Sequence, residues 1–159
     1  MSRPIAVVTG AGSGIGVAIS SELATRGFSV VPTDVDEESA ARTAEKCGAE
    51  GSYKLDVTDA GGIDKAVRRI VEGHGPPAVW VSNAGVSKMR PFLEITPDEL
   101  DLTLDVNLRG LFLSSQSAAK AMVKAGDGGC IVNIASMAGK QGRAPSFRII
   151  SHRSSASSA

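Results

Sequence analysis

The segment Thr9-Gly10-Ala-Gly-Ser-Gly14-Ile-Gly16 sets glycines at the spacing that lets a backbone turn tightly and approach a pyrophosphate. It follows an apolar run and precedes a helical pattern. That placement gives the phosphate free N–H groups and the positive end of a helix dipole. No Lys-Ser or Lys-Thr follows the glycines, so the chemistry is not that of a P-loop. Asp34 stands about 20 residues beyond the turn, where a carboxylate accepts hydrogen bonds from ribose hydroxyls. No Arg or Lys beside it would offset a 2′-phosphate, so NAD is expected as cofactor and NADP is disfavoured. Asp34 could instead cap the next helix, a task Asp36 could also perform.

These groups need elements to hold them. Ile5 to Thr9 reads as a buried strand, and Val17 to Arg26 as a helix stopped by Gly27. Phe28 to Thr33 is a second strand, expected to end near Pro32. Asp36 to Cys47 is a helix with Gly48 after it. Tyr53 to Val57 is a third strand. Thr58 is expected to cap a helix with Ile63, Ala66, Val67, Ile70 and Val71 on one face. Ala78 to Ser82 is a fourth strand. Thr96-Pro-Asp-Glu99 is a capping box. It opens a long helix reaching towards Lys124, with Leu100, Leu104, Leu108 and Leu111 or Phe112 expected inward. Asp127-Gly-Gly129 breaks it, and Cys130 to Ala135 is a fifth strand. Apolar strands alternating with helices imply an α/β fold: a Rossmann-type, doubly wound parallel sheet.

The chain has 159 residues and no formal net charge, so no global field draws it to nucleic acid or to an anionic membrane. It shows neither a basic stripe nor an aromatic platform for nucleic acid. No segment reads as a signal peptide or a membrane span, and a cytoplasmic location is expected. Cys47 and Cys130 match no metal spacing. Both are expected to be buried free thiols, and no metal is expected.

Taken together, Thr9-Gly-x-x-x-Gly-x-Gly16, Asp56-Val57, Asn83-Ala-Gly85, Asn107 and Ile131-Val-Asn-Ile-Ala-Ser136 resemble the short-chain dehydrogenases/reductases. The resemblance covers nearly all of the chain. It implies a dinucleotide-binding domain over residues 1–147. Gly10, Gly14 and Gly16 would hold the diphosphate, with Ser13 and Ile15 between them. Asp34 would hold the adenosine ribose, and Asp56 with Val57 would meet the adenine. Asn83, Ala84 and Gly85 would pack beside the cofactor. The family has Asn where this chain has Ser82. The resemblance gives two catalytic assignments: Asn107 would hold a water in a proton relay, and Ser136 would hydrogen-bond the substrate oxygen. It implies NAD(P)-dependent oxidation of a secondary alcohol or reduction of a ketone, by a homotetramer. The stretches Asn83–Phe92 and Asp105–Gly110 look most like members acting on polyols or small diols.

The same resemblance calls for Tyr-x-x-x-Lys after Ser136, because a tyrosine titrating near about 10 needs a nearby positive charge to work as acid–base group. Tyr53 is the only tyrosine and no lysine follows Lys140. Residues 148–159 form a serine-rich tail, expected to be disordered. Codons exist that fit this tail and whose neighbouring frame reads His-Tyr-Leu-Ala-Ser-Lys-Phe-Gly-Val-Leu-Gly. A frameshift near Phe147–Arg148 is therefore expected, with the C-terminal strands missing and tetramer assembly impaired. A natural serine-rich terminus is the alternative. The chain as written is expected to be catalytically inactive. The competing functional reading is a non-catalytic dinucleotide-binding fragment.

Overall fold

The computed structural model describes residues 3–88 and 90–136; the tail at 148–159 lies outside them. Five parallel strands form one sheet: β1 (Ile5–Thr9), β2 (Ser29–Asp34), β3 (Tyr53–Lys54), β4 (Pro77–Ser82) and β5 (Cys130–Asn133). Their order is β3-β2-β1-β4-β5, with β1 at the reversal point of the winding. The helices are α1 (Gly14–Thr25), α2 (Glu37–Cys47), α3 (Ala60–His74), α4 (Pro97–Leu104) and α5 (Leu111–Ala125).

Consecutive strand residues point to opposite faces, and both faces are covered, so the strands read as unbroken apolar runs. Val7, Val31 and Trp80 join Ile63, Val67 and Ile70 of α3 and Ala118 and Met122 of α5. On the other face Val8, Val30 and Val81 pack with Ile19 and Leu23 of α1. Trp80 is the only tryptophan and is fully buried, so its emission reports on the whole core.

Pro32 does not end β2, which continues to Asp34. Ser29 N–H and Thr33 C=O bond on the β1 side, whereas Asp34 C=O accepts from Leu55 N–H on the β3 side. Pro32 alternates with Thr33, so its missing N–H faces β3. That strand begins only at Tyr53, opposite Thr33, and no ladder bond is lost. β3 itself stops at Lys54, short of Val57, because Asp56 turns the chain: its Oδ1 accepts from Thr58 N–H at 2.9 Å and Thr58 Oγ1 at 2.7 Å. Thr58 is thereby occupied, and Asp59, not Thr58, precedes α3. β5 likewise ends at Asn133, before Ala135.

The largest departure concerns the long helix. It is interrupted by a wide, π-type turn over Asp105–Gly110. Its buried positions are Thr103, Asn107, Gly110, Ser114, Ser117, Ala118 and Met122, while Leu100, Leu108 and Phe112 are exposed and Leu104 and Leu111 half-buried. Small residues won this face because the backbone packs close. A Cβ on Gly110 would stand 2.7 Å from the Val57 carbonyl oxygen. Cys130 also departs from expectation: it opens the edge strand of the described sheet and is exposed, whereas Cys47 is half-buried; both are free thiols.

Two carboxylates fix helix starts. Asp36 Oδ1 accepts from the N–H groups of Glu38 (3.1 Å) and Ser39 (3.4 Å). Thr96 and Glu99 form the reciprocal capping box, and Glu99 also pairs with Arg90 (3.0 Å) and Lys88 (3.7 Å). Hydrogen bonding from Ser39 holds the Asp36 carboxyl below its ordinary range, and the Thr96 N–H, then Arg90 and Lys88, do so for Glu99. A lowered folded-state pKa adds stability that is present above the ordinary carboxylate range and is lost as pH falls through the lowered values. Melting temperature should therefore drop below about pH 4, and the Asp36→Asn, Glu99→Gln double variant should show a shallower drop. Parallel pH–melting curves for the two proteins would remove the caps from the account.

Candidate functional site

A cleft of about 810 Å3 opens at the carboxyl ends of β1, β2 and β4, the crevice in which open parallel sheets bind ligands. It is lined by Gly10, Ser13, Gly14, Ile15, Asp34, Asp56, Val57, Asn83, Ala84, Gly85 and Ser136. These residues come from separate elements, and the fold brings all of them to one cavity. A larger groove, about 1020 Å3, lies at the opposite end of the strands between Arg3, Glu50, His74 and Cys130, and none of the candidate residues reaches it.

The floor is the turn from β1 into α1. Ser13 sits at the N-cap of α1 and makes no side-chain cap bond, so the first-turn N–H groups are not closed off by it. Gly14 has φ +51° and nothing within 4 Å of where a Cβ would be, leaving open room for an anion at the positive end of the helix. Gly16 is not among the residues that line the cleft. A Cβ there would stand 2.8 Å from Ala11 Cα and 2.8 Å from Asn83 Nδ2, so Gly16 permits packing behind the turn.

Thr9 and Asn83 lock β1 to β4. Thr9 Oγ1 accepts from the N–H groups of Asn83 and Ala84, each at 3.0 Å, and donates to Val81 C=O at 3.3 Å. Asn83 Nδ2 donates to the Thr9 and Gly10 carbonyls, each at 3.0 Å. The Asn83 side chain thus holds the glycine turn against the end of β4. Ser82, where the family carries Asn, shares a hydrogen bond with Ser115 Oγ at 2.9 Å, and Ser115 donates to Asn133 Oδ1 at 3.3 Å. Ser82 and Ser115 thus link β4, α5 and β5 through their hydroxyl groups.

Asp34 lies at the far side of the cleft. Its Oδ2 accepts from Gly12 N–H at 2.8 Å and its Oδ1 from Asp36 N–H at 3.0 Å. Asp36 performs the capping of α2, so Asp34 is left to face the cavity. Asp56 lines the same side with its carboxylate tied to Thr58.

Asn107 does not line the cleft. It is 1 % exposed, accepts from Val86 N–H at 2.8 Å and donates to Val86 C=O at 2.7 Å. Both ends of its carboxamide clamp the backbone of the segment that carries Asn83–Val86 past the cavity. Tyr53 does not line the cleft: its ring meets His74 edge-on, with centroids 5.7 Å apart, and lies under the Arg69 guanidinium at 5.3 Å. Sequence reasoning missed the bridging role of Thr9, although its place before the glycine turn was visible. It also missed Gly110, whose position within a helical pattern signals close backbone approach. Among the described residues no group of three His, Cys, Asp or Glu could hold a metal, and no helix is long and apolar enough to cross a membrane.

Known proteins resemble this chain in sequence and in fold. The chain is 41% identical over 154 residues to the (3R)-3-hydroxyacyl-CoA dehydrogenase of Canis lupus familiaris, covering 87% of this chain and 58% of that protein. It is 39% identical over 138 residues to the D-threitol dehydrogenase of Mycolicibacterium smegmatis, covering 84% and 53%. The chain thus spans little more than half the length of these relatives. The crystal structure of a short-chain type dehydrogenase/reductase from Mycobacterium marinum superposes with a TM-score of 0.91 at 28% identity, over 98% of this chain and 63% of that one. The family model described as short chain dehydrogenase matches residues 4–147, which include every residue of the cleft. By its sheet order, its glycine turn and this match, the chain belongs to the short-chain dehydrogenase family of oxidoreductases.

Proposed function

We propose that the cleft binds NAD in preference to NADP, and that the protein to which these residues belong oxidises a secondary alcohol or reduces the ketone. The reading rests on one observation: the open N-terminal turn of α1 and the Asp34 carboxylate face the same cavity. The first suits a diphosphate; the second accepts from vicinal ribose hydroxyls and repels a phosphate ester. Gly10, Ser13, Gly14 and Ile15 would hold the diphosphate, and Asp34 the adenosine ribose. Asp56 and Val57 would border the adenine, and Asn83, Ala84 and Gly85 would flank the nicotinamide half. Bound nicotinamide would supply the hydride acceptor or donor.

Ser136, half-buried in the cleft wall, would hydrogen-bond the substrate oxygen. Asn107 would serve the proton relay through its backbone, since its side chain is engaged with Val86. The D-threitol dehydrogenase relative supports a polyol substrate and the hydroxyacyl-CoA relative a hydroxyacyl one. Exposed Leu100, Leu108 and Phe112 on the helix carrying Asn107 support the subunit contact the family implies. The acid–base group remains to be supplied, because Tyr53 is packed on β3 against His74 and Arg69. This observation favours the second reading for the 159-residue chain itself, a dinucleotide binder without turnover.

The test compares wild type with Asp34→Ala. NAD+ affinity should fall roughly ten- to hundredfold, NADP+ affinity should hold or rise, and neither protein should reduce NAD+ with threitol or a 3-hydroxyacyl thioester. Equal losses for both dinucleotides would defeat the NAD assignment. Turnover by the purified chain would defeat the second reading.

A further inference from the structure

We infer that Gly12 is a positioning residue that sets cofactor choice through Asp34, an inference that rests on the NAD reading above. Gly12 N–H donates to Asp34 Oδ2 at 2.8 Å, so the glycine turn itself aims the carboxylate. A Cβ at residue 12 would stand 2.9 Å from Asp34 Cγ, 2.9 Å from Asp34 Oδ2 and against Ser39 Oγ. The turn is pinned on its Ala11 side. Ala11 is fully buried, its N–H donates to Thr33 C=O at 2.9 Å, and its C=O accepts from Thr43 Oγ1 at 2.8 Å. The groups that can move are the tips of two side chains, the Asp34 carboxylate and the Ser39 hydroxyl.

Gly12 therefore differs from the other close-packed glycines of the turn. At Gly10 and Gly16 an added Cβ meets backbone, Ala84 Cα at 2.7 Å and Ala11 Cα at 2.8 Å, and the fold would suffer. Gly12 also has no positive φ, so alanine suits its backbone. Substitution there displaces the ribose acceptor while leaving the scaffold in place.

The experiment is a double-mutant cycle read with NAD+ and NADP+. Gly12→Ala should melt near wild type, lose roughly tenfold or more in NAD+ affinity and keep its NADP+ affinity, so that the ratio approaches that of Asp34→Ala. In the Asp34→Ala background Gly12→Ala should change little. Unchanged NAD+ affinity, or equal losses for both dinucleotides in both backgrounds, would overturn the inference while leaving the NAD reading intact. If wild type binds neither dinucleotide, the NAD reading fails and the inference with it. Amide exchange gives a second reading without altering residue 12. The Gly12 amide should exchange slowly in wild type and quickly in Asp34→Ala, and equal rates would refute the aiming bond even if Gly12→Ala failed to fold.

Discussion

Gly10→Val should abolish dinucleotide binding and destabilise the chain by roughly 2–5 kcal/mol. Two costs add. Gly10 has φ +63°, which a β-branched residue resists by about 1–2 kcal/mol. Its new Cβ would also lie 2.7 Å from Ala84 Cα and 3.0 Å from Ala84 N, backbone atoms held by Thr9 Oγ1, and overpacking of this kind costs about 1–3 kcal/mol. Relief requires β1 and β4 to part at the point where both line the cleft, so affinity falls with stability. Urea unfolding followed by Trp80 emission measures the first, and NAD+ titration the second. Gly14→Ala is the contrast: its φ of +51° is strained but the space is open, and the loss should stay at about 1–2 kcal/mol, the strain alone. Equal effects at the two positions would contradict the close approach of Ala84 as the cause.

Asn107→Leu should cost roughly 2–5 kcal/mol, because it strands two groups. Val86, half-buried at the cleft wall, loses bonds of 2.8 Å to its N–H and 2.7 Å to its C=O, and an unpaired polar group shielded from water costs about 1–3 kcal/mol. Leucine repeats the branching of the asparagine side chain heavy atom for heavy atom, so the loss is chiefly polar in origin. The Val86 amide should exchange faster, and NAD+ should bind more weakly because Asn83–Val86 walls the cleft. Asn107→Asp should fare no better: a carboxylate can accept from Val86 N–H but cannot donate to Val86 C=O. A variant as stable as wild type, with unchanged Val86 exchange, would show that this clamp does not hold the loop.

The parts of this protein that sequence exposes are those whose chemistry is local. The glycine turn and the capping box at Thr96–Glu99 each depend on residues within one or two turns of chain, whereas the choice of Asp36 over Asp34 as the cap of α2, left open by the sequence, is settled by the bonds Asp36 makes to Glu38 and Ser39. What sequence conceals is chosen by distant partners. Leucines at 100 and 108 look like the buried stripe of a helix by periodicity, yet Gly110 must approach the Val57 carbonyl and Asn107 must reach Val86, and those demands rotate the leucines outward. β3 and β5 look longer in the sequence than they are for a related reason. Apolar residues continue past Lys54 and Asn133, but Asp56 and the cleft wall take the backbone elsewhere. Thr9 looks like any strand-end threonine in the sequence because its partners, Asn83 and Ala84, lie more than seventy residues away.

One cavity is lined by both the open first turn of α1 and the Asp34 carboxylate, the pair proposed to take the diphosphate and the ribose of NAD. Calorimetric titration of the 159-residue chain with NAD+ and with NADP+ tests that proposal most directly. The account predicts saturable binding of NAD+ at one site and weaker binding of NADP+. No heat of binding with either dinucleotide, or tighter binding of NADP+, would contradict it.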